Sequence, residues 1–267
     1  MRLFDTHAHL LDEQFDADRD ELIAGLPARG VAGFVECCCR QEDFARCLEL
    51  TRRYPGVRGA AGIHPEHADT YGPDTPARLR EVLADPKMVA VGEIGLDYHW
   101  DDAPPRDVQK RAFAEQTELA VELGLPVIVH DRDAHGDTAE ILRANRQGLS
   151  GILHCFSGSW EMARECMDYG MYIAFGGAVT FKNARRQREI AAKIPEDRLL
   201  AETDSPYMAP EPFRGKRNDP GLIANTVRVL AEVRGTDPES LAERLYENAR
   251  ALFGIPYEGT GEDRRNA

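Results

Sequence analysis

The sequence lacks any apolar run that approaches the roughly 20 residues needed to cross a bilayer. The first residues, Met1 to Asp5, contain no apolar signal region, so we do not expect secretion. The six cysteines include no Cys-x-x-Cys pair, and the consecutive Cys37, Cys38 and Cys39 suit no disulfide framework. We therefore expect reduced thiols, a cytoplasmic location and no membrane association.

Positive charge is also scarce, because 33 lysines and arginines face 46 acidic residues and the formal net charge is −13. This balance argues against a broad basic surface that grips long duplexes. It does not exclude a nucleic-acid substrate that is held locally, because bound divalent ions are large local positive charges. Composition alone leaves the substrate class open.

Short apolar runs alternate with helical patterns along the 267 residues. Runs typical of parallel strands buried on both faces cover 2–7, 31–36, 57–63, 88–93, 125–130, 151–155, 171–175 and 198–203. Helical patterns cover about 16–28, 41–53, 76–85, 105–123, 137–146, 159–168, 183–193, 219–234 and 237–253. Eight strand–helix units predict a closed (β/α)8 TIM barrel with extra C-terminal helices. The rival doubly wound sheet lacks support, because no Gly-x-Gly-x-x-Gly follows a strand.

The length suits one α/β barrel, so we predict a single domain over residues 1–257. Residues 258–267 are polar and contain glycine, and we predict that they form a flexible tail. The sequence does not fix the oligomeric state, and a monomer is our expectation.

Residues that can bind metal ions stand at the C-terminal ends of the predicted strands, where barrels of this class carry their active sites. His7 and His9 are two apart on an extended backbone, so both imidazoles point to one face as a chelating pair. The others, on strands four, five, six and eight, are Glu93, His130, His154 and Asp204. Four imidazoles and two carboxylates are about what two adjacent divalent ions need.

Each of these residues also has a structural interpretation, which for His7 and His9 is a pair of satisfied or exposed histidines. His130 and His154 are compatible with core histidines, and Glu93 with a helix N-cap or a salt-bridged strand end. Asp204 before Ser205 and Pro206 suits an Asx turn. Their concentration at one barrel end favours metal chemistry over these separate explanations.

The segments around these residues resemble the TatD family of metal-dependent deoxyribonucleases, within the amidohydrolase-like barrels. The resemblance runs from 4–9 to 248–254 and includes 62–65, 93–98, 129–134, 154–158, 202–207 and 214–218. The chain departs from the family pattern at Asp219-Pro220, where a glutamate is usual. The triple cysteine has no functional counterpart in this resemblance.

The resemblance implies two divalent metal ions with a shared carboxylate. One ion is expected on His7, His9, Glu93 and Asp204, and the other on Glu93, His130 and His154. A carboxylated lysine is a common alternative bridge in related barrels, but none of the five lysines ends a predicted strand. Histidine with carboxylate ligands suits Zn²⁺ and Mn²⁺, and Mg²⁺ becomes suitable when phosphate oxygens complete the shell.

The activity that this resemblance implies is exonuclease-type hydrolysis of phosphodiester bonds in DNA, single-stranded or at an end. Asp204 is the candidate base that orients and deprotonates a water, and Glu93 is the candidate bridge. We predict substrate contacts by His64, Tyr98, Arg132 and Arg214, the last in the 214–218 loop.

Two further features keep alternative interpretations. Glu202 either fixes a ligand imidazole or forms a structural ion pair. The basic cluster Lys182, Arg185, Arg186 and Arg188 either guides a nucleic-acid strand or forms the solvated face of a helix.

Other functions remain compatible with the same six ligands. A hydrolase of a small amide, a lactone or an aminoacyl-tRNA ester would use the same metal core. A metal-binding scaffold without activity is the least favoured alternative, because a scaffold has no evident use for an open two-metal site.

Overall fold

The computed structural model describes residues 1–256, and within them eight parallel strands form one sheet in sequence order. The strands are β1 (Leu3–Ala8), β2 (Val31–Cys37), β3 (Val57–Ala61), β4 (Met88–Asp97), β5 (Val127–Arg132), β6 (Gly151–Leu153), β7 (Met171–Phe175) and β8 (Leu199–Ala201). This order confirms the predicted (β/α)8 barrel. The predicted tail, 258–267, lies outside the described residues, and the extent of the domain stays a prediction.

The helices lie between consecutive strands and after the last one. They are α1 (Arg19–Gly25), α2 (Phe44–Arg53), α3 (Thr75–Leu83), α4 (Arg106–Leu123), α5 (His135–Ala144), α6 (Trp160–Asp168), α7 (Arg185–Ala191), α8 (Ile223–Arg234) and α9 (Pro238–Phe253). Gly124 ends α4 in the left-handed region at φ 64°, where glycine carries no steric cost. In the described part of the chain, no helix is long and apolar enough to cross a membrane.

Backbone hydrogen bonds between β1 and the segment after β8 close the barrel. The amide of His9 donates to the carbonyl of Ser205 at 2.8 Å, and the amide of Asp204 donates to the carbonyl of His7 at 2.9 Å. Behind them, the buried carboxylate of Asp5 accepts from the Thr203 amide at 2.8 Å. These bonds therefore place the end of β1 beside the segment that follows β8, at the C-terminal rim of the barrel.

Apolar side chains fill the barrel below this rim. One buried cluster takes at least one residue from every strand: Phe4, Val35, Ala60, Ala90, Ile128, Ile152, Ala174 and Leu200. A larger cluster packs the strands against the surrounding helices. Because side chains alternate along a strand, Ile128 shares its face of β5 with His130. The polar residues of the rim thus lie above an apolar floor.

The strand ends differ from those predicted. β4 extends past 93 to Asp97, and β5 to Arg132, because Gly95 pairs with His130 and Asp97 with Arg132. Glu93 and His130 therefore lie within their strands and not at the ends. β6 and β8 are shorter than predicted and stop at Leu153 and Ala201, so His154 follows β6.

Candidate metal centre

The C-terminal end of the barrel opens into a cavity of about 530 Å³. Five of the six predicted ligands line it: His9, Glu93, His130, His154 and Asp204. The sixth, His7, is fully buried and lies against them. The closed barrel therefore brings together all six side chains from distant parts of the sequence.

One group of donor atoms comes from both ends of the barrel and from β4. The Nε2 atoms of His7 and His9 are 2.9 Å apart, and Glu93 Oε2 lies 3.3 and 3.4 Å from them. Asp204 Oδ1 lies 3.7 Å from the first imidazole and 3.5 Å from the second. Metal–ligand distances of about 2.0–2.2 Å put neighbouring tetrahedral ligands about 3.3–3.6 Å apart. His7, His9 and Asp204 form a group whose donor atoms could hold one divalent cation, and Glu93 Oε2 lies beside both imidazoles.

The other oxygen of Glu93 faces a second set of imidazoles. Glu93 Oε1 lies 3.0 Å from His130 Nδ1, 3.3 Å from His154 Nε2 and 3.5 Å from His64 Nε2. The two oxygens of one carboxylate thus point to different groups of nitrogen atoms. His64, for which we predicted a substrate contact, lies within this second group.

The remaining ring nitrogens of three predicted ligands have partners behind them. His9 Nδ1 lies 2.9 Å from the carbonyl of Cys37, and His130 Nε2 lies 2.9 Å from Asp97 Oδ2. Hydrogen-bond partners of this kind fix the ring and its tautomer, so that the opposite nitrogen faces the metal. His154 Nδ1 lies 3.2 Å from Glu202 Oε1, which is within ion-pair distance but is not a hydrogen bond. Glu202 thus lies beside a ligand imidazole, and its role there stays a prediction.

The charge state of the centre suits a cation. Burial raises the pKa of Glu93, but the neighbouring His7 and His64 outweigh it and hold that pKa well below its usual range. Burial opposes protonation of His130, yet the carboxylates of Asp97 and Glu93 raise its pKa to about 9. Without a metal, protons therefore balance the buried carboxylates, and a divalent ion would displace those protons.

The turn that carries Asp204 has an unusual backbone. Asp204 adopts a left-handed conformation at φ 58°, which aspartate tolerates better than most residues. The buried amide of Asn218 supports this turn by donating to the carbonyls of Thr203 at 2.8 Å and Tyr207 at 2.7 Å. The 214–218 loop thus contributes at least one residue that holds a predicted ligand in position.

The four predicted substrate contacts are divided between two places. His64 and Arg132 line the cavity. Tyr98 donates its hydroxyl to Asp137 at 2.7 Å, and the Arg214 guanidinium lies 4.2 Å from the ring centroid of Phe181. Within residues 1–256, neither Tyr98 nor Arg214 is part of the cavity lining. Substrate binding by these two residues stays a prediction.

The basic cluster is partly engaged in local contacts. Arg188 donates to the carbonyls of Val179 and Thr180, both at 2.8 Å, and so supports the loop before α7. Arg185 forms an ion pair with Glu189 at 2.8 Å on the helix surface. These contacts favour the structural interpretation for both arginines. For Lys182 and Arg186, the guidance of a nucleic-acid strand stays a prediction.

Sequence analysis did not select several residues of the site. Asp97 supports His130. The sequence feature that could have identified Asp97 is its position four residues after Glu93 on one long strand. Trp100 and Tyr207 line the cavity although 48% and 50% of their surfaces are exposed. Cys39 also lines the cavity. The sequence feature that could have identified it is the triple cysteine at the end of a predicted strand.

Comparisons with known proteins show the family to which the chain belongs. A family described as TatD related DNase matches residues 4–254. The metal-dependent hydrolase YabD of Bacillus subtilis, itself described as uncharacterized, is 44% identical over 254 residues, 95% of this chain and 99% of that protein. A protein of Cronobacter sakazakii named 3'-5' ssDNA/RNA exonuclease TatD is 39% identical over 259 residues, with 94% and 97% of the two chains covered.

A solved structure of a TatD homologue also matches this chain over nearly its full length. The crystal structure of YJJV, a TatD homologue from Escherichia coli, superposes with a TM-score of 0.90 at 34% identity and covers 96% of this chain and 99% of its own. The family match extends over nearly all the described residues, and the relatives are covered almost completely. The chain therefore belongs to the TatD family of metal-dependent hydrolases.

Proposed function

We propose that this protein is a two-metal nuclease that shortens single-stranded DNA from an end. The observation that carries the proposal is the position of Glu93, whose Oε2 faces His7 and His9 and whose Oε1 faces His130 and His154. A carboxylate in this position is suited to bridge two cations. Two bound divalent ions would supply Lewis acidity. They would also lower the pKa of a bound water, so that this water can lose its proton at neutral pH.

The protein's own residues would orient the reaction. Asp204 is the base in this proposal, because its carboxylate lies at the cavity and is ionised at neutral pH. Burial raises the pKa of Asp204, but the neighbouring imidazoles of His9 and His154 lower it below its usual value. The carboxylate would hold the attacking water and accept its proton. Arg132 at the cavity wall would hold the phosphate by its positive charge.

The cavity mouth supports a nucleic-acid substrate. The exposed rings of Trp100 and Tyr207 line it, and the guanidinium of Arg132 lies 5.1 Å from the ring centroid of Trp100. Aromatic rings beside a cation suit a single strand, because bases stack on the rings while phosphates meet the charge. The name of the Cronobacter relative also supports a single-stranded substrate.

The test is the digestion of single-stranded DNA labelled at either end. The wild type would be incubated with Zn²⁺, Mn²⁺ or Mg²⁺, with and without a chelator. His154→Ala, purified identically, is the matched control for contaminating nucleases. We expect shortening that needs metal and is lost in the variant, and the label that leaves first gives the direction.

A second set of substrates separates the nuclease from the other hydrolases. Lactones, small amides and an aminoacyl-tRNA would be incubated with the same metal-loaded preparation. Turnover of one of these, with no shortening of DNA at full metal occupancy, would overturn the proposed nuclease function and leave the metal-dependent hydrolase.

A further inference from the structure

We propose that Cys39 supplies a sulfur ligand to the metal ion that His7, His9, Glu93 and Asp204 hold. This inference rests on the proposed metal centre and adds a donor that the ligand set from the sequence does not contain. Cys39 follows β2 and lines the same cavity as the predicted ligands. Its position relative to Glu93 carries the inference.

The thiol lies close enough to Glu93 to share an ion with it. Cys39 Sγ is 3.9 Å from Glu93 Oε2, the oxygen that faces His7 and His9. It also lies 3.8 Å from His9 Nδ1, which is the nitrogen that faces the Cys37 carbonyl and is not the donor Nε2. One donor atom of each of Cys39, His9 and Glu93 lies within 4.8 Å of the others. A zinc–sulfur bond of about 2.3 Å and a zinc–oxygen bond of about 2.0–2.2 Å put the two ligand atoms about 3–3.6 Å apart. A small rotation of the cysteine side chain would close the difference.

The backbone holds Cys39 in this place from two sides. The amide of His64 donates to the carbonyl of Cys39 at 3.0 Å, and the amide of Glu93 donates to the carbonyl of Cys38 at 3.0 Å. The segment after β2 is therefore tied directly to the segments that carry two residues of the centre. These hydrogen bonds place the backbone of Cys39 beside Glu93.

Two other cysteines lie near the centre, and one of them, Cys155, forms a similar group with His154 and Asp204. Cys37 Sγ lies 3.5 Å from His7 Nδ1, on the far side of that ring from the donor Nε2. Cys155 Sγ lies 3.8 Å from Asp204 Oδ2, and this carboxylate's other oxygen, Oδ1, faces His9. Cys39 is thus the thiol next to the donor oxygen Glu93 Oε2, whereas Cys155 provides a control for a nearby thiol.

Coordination would change the metal preference of the site. The thiol would lose its proton to solvent as the sulfur–metal bond forms, and a water would leave the ion. Thiolate ligands favour Zn²⁺ and Co²⁺ over Mg²⁺, which prefers oxygen ligands. Cys39→Ser should therefore weaken Zn²⁺ binding by at least about 10-fold and leave Mg²⁺ binding nearly unchanged.

The test uses Co²⁺ as a spectroscopic probe on the full-length metal-free protein. A thiolate bonded to Co²⁺ gives a charge-transfer band in the near ultraviolet, whereas the visible bands of Co²⁺ report binding by any ligand set. We expect both kinds of band in the wild type, in Cys155→Ser and in Cys166→Ser. We expect Cys39→Ser to keep the visible bands and lose the ultraviolet band. Circular dichroism and thermal melting of each variant check its fold.

The outcomes separate this inference from the proposed function. An ultraviolet band that survives in Cys39→Ser, or one that disappears only in Cys155→Ser, overturns the sulfur ligand. Visible bands without an ultraviolet band in the wild type also overturn it, but they leave the metal centre and the nuclease intact. A failure of the protein to bind Co²⁺, Zn²⁺ or Mn²⁺ would overturn both proposals.

Discussion

Glu93 determines the charge and the geometry of the whole centre. It is almost fully buried, and each of its oxygens lies within 3.5 Å of at least two imidazole nitrogens. A buried carboxylate in these surroundings is stable only when positive charge compensates it. Divalent cations would provide that compensation in the working protein.

Glu93→Gln should remove the bridge with little change in side-chain volume. An amide offers one weak oxygen donor in place of two charged ones, so the two groups of ligands lose their common member. We expect the metal content to fall from two ions per chain to one or fewer, and activity to fall by more than about 100-fold. Elemental analysis and the DNA assay measure the two effects. Full activity with two ions bound would contradict the bridging role.

Trp100→Ala should weaken the binding of single-stranded DNA while leaving the metal content unchanged. Stacking of one base on an aromatic side chain contributes about 1–3 kcal/mol, so KM should rise between about 5-fold and 150-fold. An oligonucleotide whose terminal residues are abasic should show little difference between wild type and variant. Trp160→Phe is the matched control, because Trp160 begins α6 and packs against the core. An equal change of KM for both oligonucleotides would exclude stacking.

At the scale of elements, the ends of the strands position the centre through contacts between neighbours. Glu36 in β2 is an example, because its carboxylate accepts from the amides of Leu10 at 2.7 Å and Leu11 at 3.0 Å, just after β1. These bonds fix the segment that follows His9. Burial raises the pKa of Glu36 from its ordinary 4.5 to about 7.

This shift predicts how stability depends on pH. Between about pH 4.5 and 7 the folded protein binds more protons at Glu36 than the unfolded chain, so its contribution to stability falls as pH rises. We expect the difference in unfolding free energy between wild type and Glu36→Gln to decrease by up to about 3 kcal/mol over this window. Urea denaturation of both chelated proteins from pH 5 to 8 measures it. A pH-independent difference would show that Glu36 does not titrate in this range.

The sequence predicted the element types because apolar periodicity is a local signal. Phe113, Leu119 and Ala120 recur on the buried face of α4, and Gly124 ends that helix as expected. The strand ends were predicted less accurately, because the pairing of Gly95 with His130 depends on a neighbouring strand and the positive φ of Cys155 depends on backbone geometry. Sequence patterns contain neither.

The candidate site shows the same difference between what local sequence patterns predict and what depends on the folded structure. The six predicted ligands stand at rim positions that the barrel rule identifies, and the structure brings them together. Tyr98 and Arg214 were selected by resemblance alone, and their side chains contact Asp137 and Phe181 instead of the cavity. Exposure of Trp100 at the cavity depends on how loops pack, so the sequence could not reveal it.

At the scale of the whole molecule, the size of the apolar core leads us to expect that the chain folds without a metal. The metal ions should add stability by binding the folded state alone, which is worth about 2.7 kcal/mol at a concentration 100 times Kd. We expect a chelator to lower the melting temperature of the wild type by about 5–10 °C, with no loss of fold at 25 °C. Thermal melts with Zn²⁺ and with chelator measure the shift, and Glu93→Gln should show a smaller one. An identical melting temperature under both conditions would argue against tight metal binding.

The most direct test of the bridged centre is the electron paramagnetic resonance spectrum of the protein loaded with Mn²⁺. Two Mn²⁺ ions that share the Glu93 carboxylate are magnetically coupled, so we predict a coupled signal at two ions per chain in the wild type. Glu93→Gln should give at most the signal of isolated Mn²⁺. A wild-type spectrum that shows only isolated ions at full loading would contradict the two-metal centre.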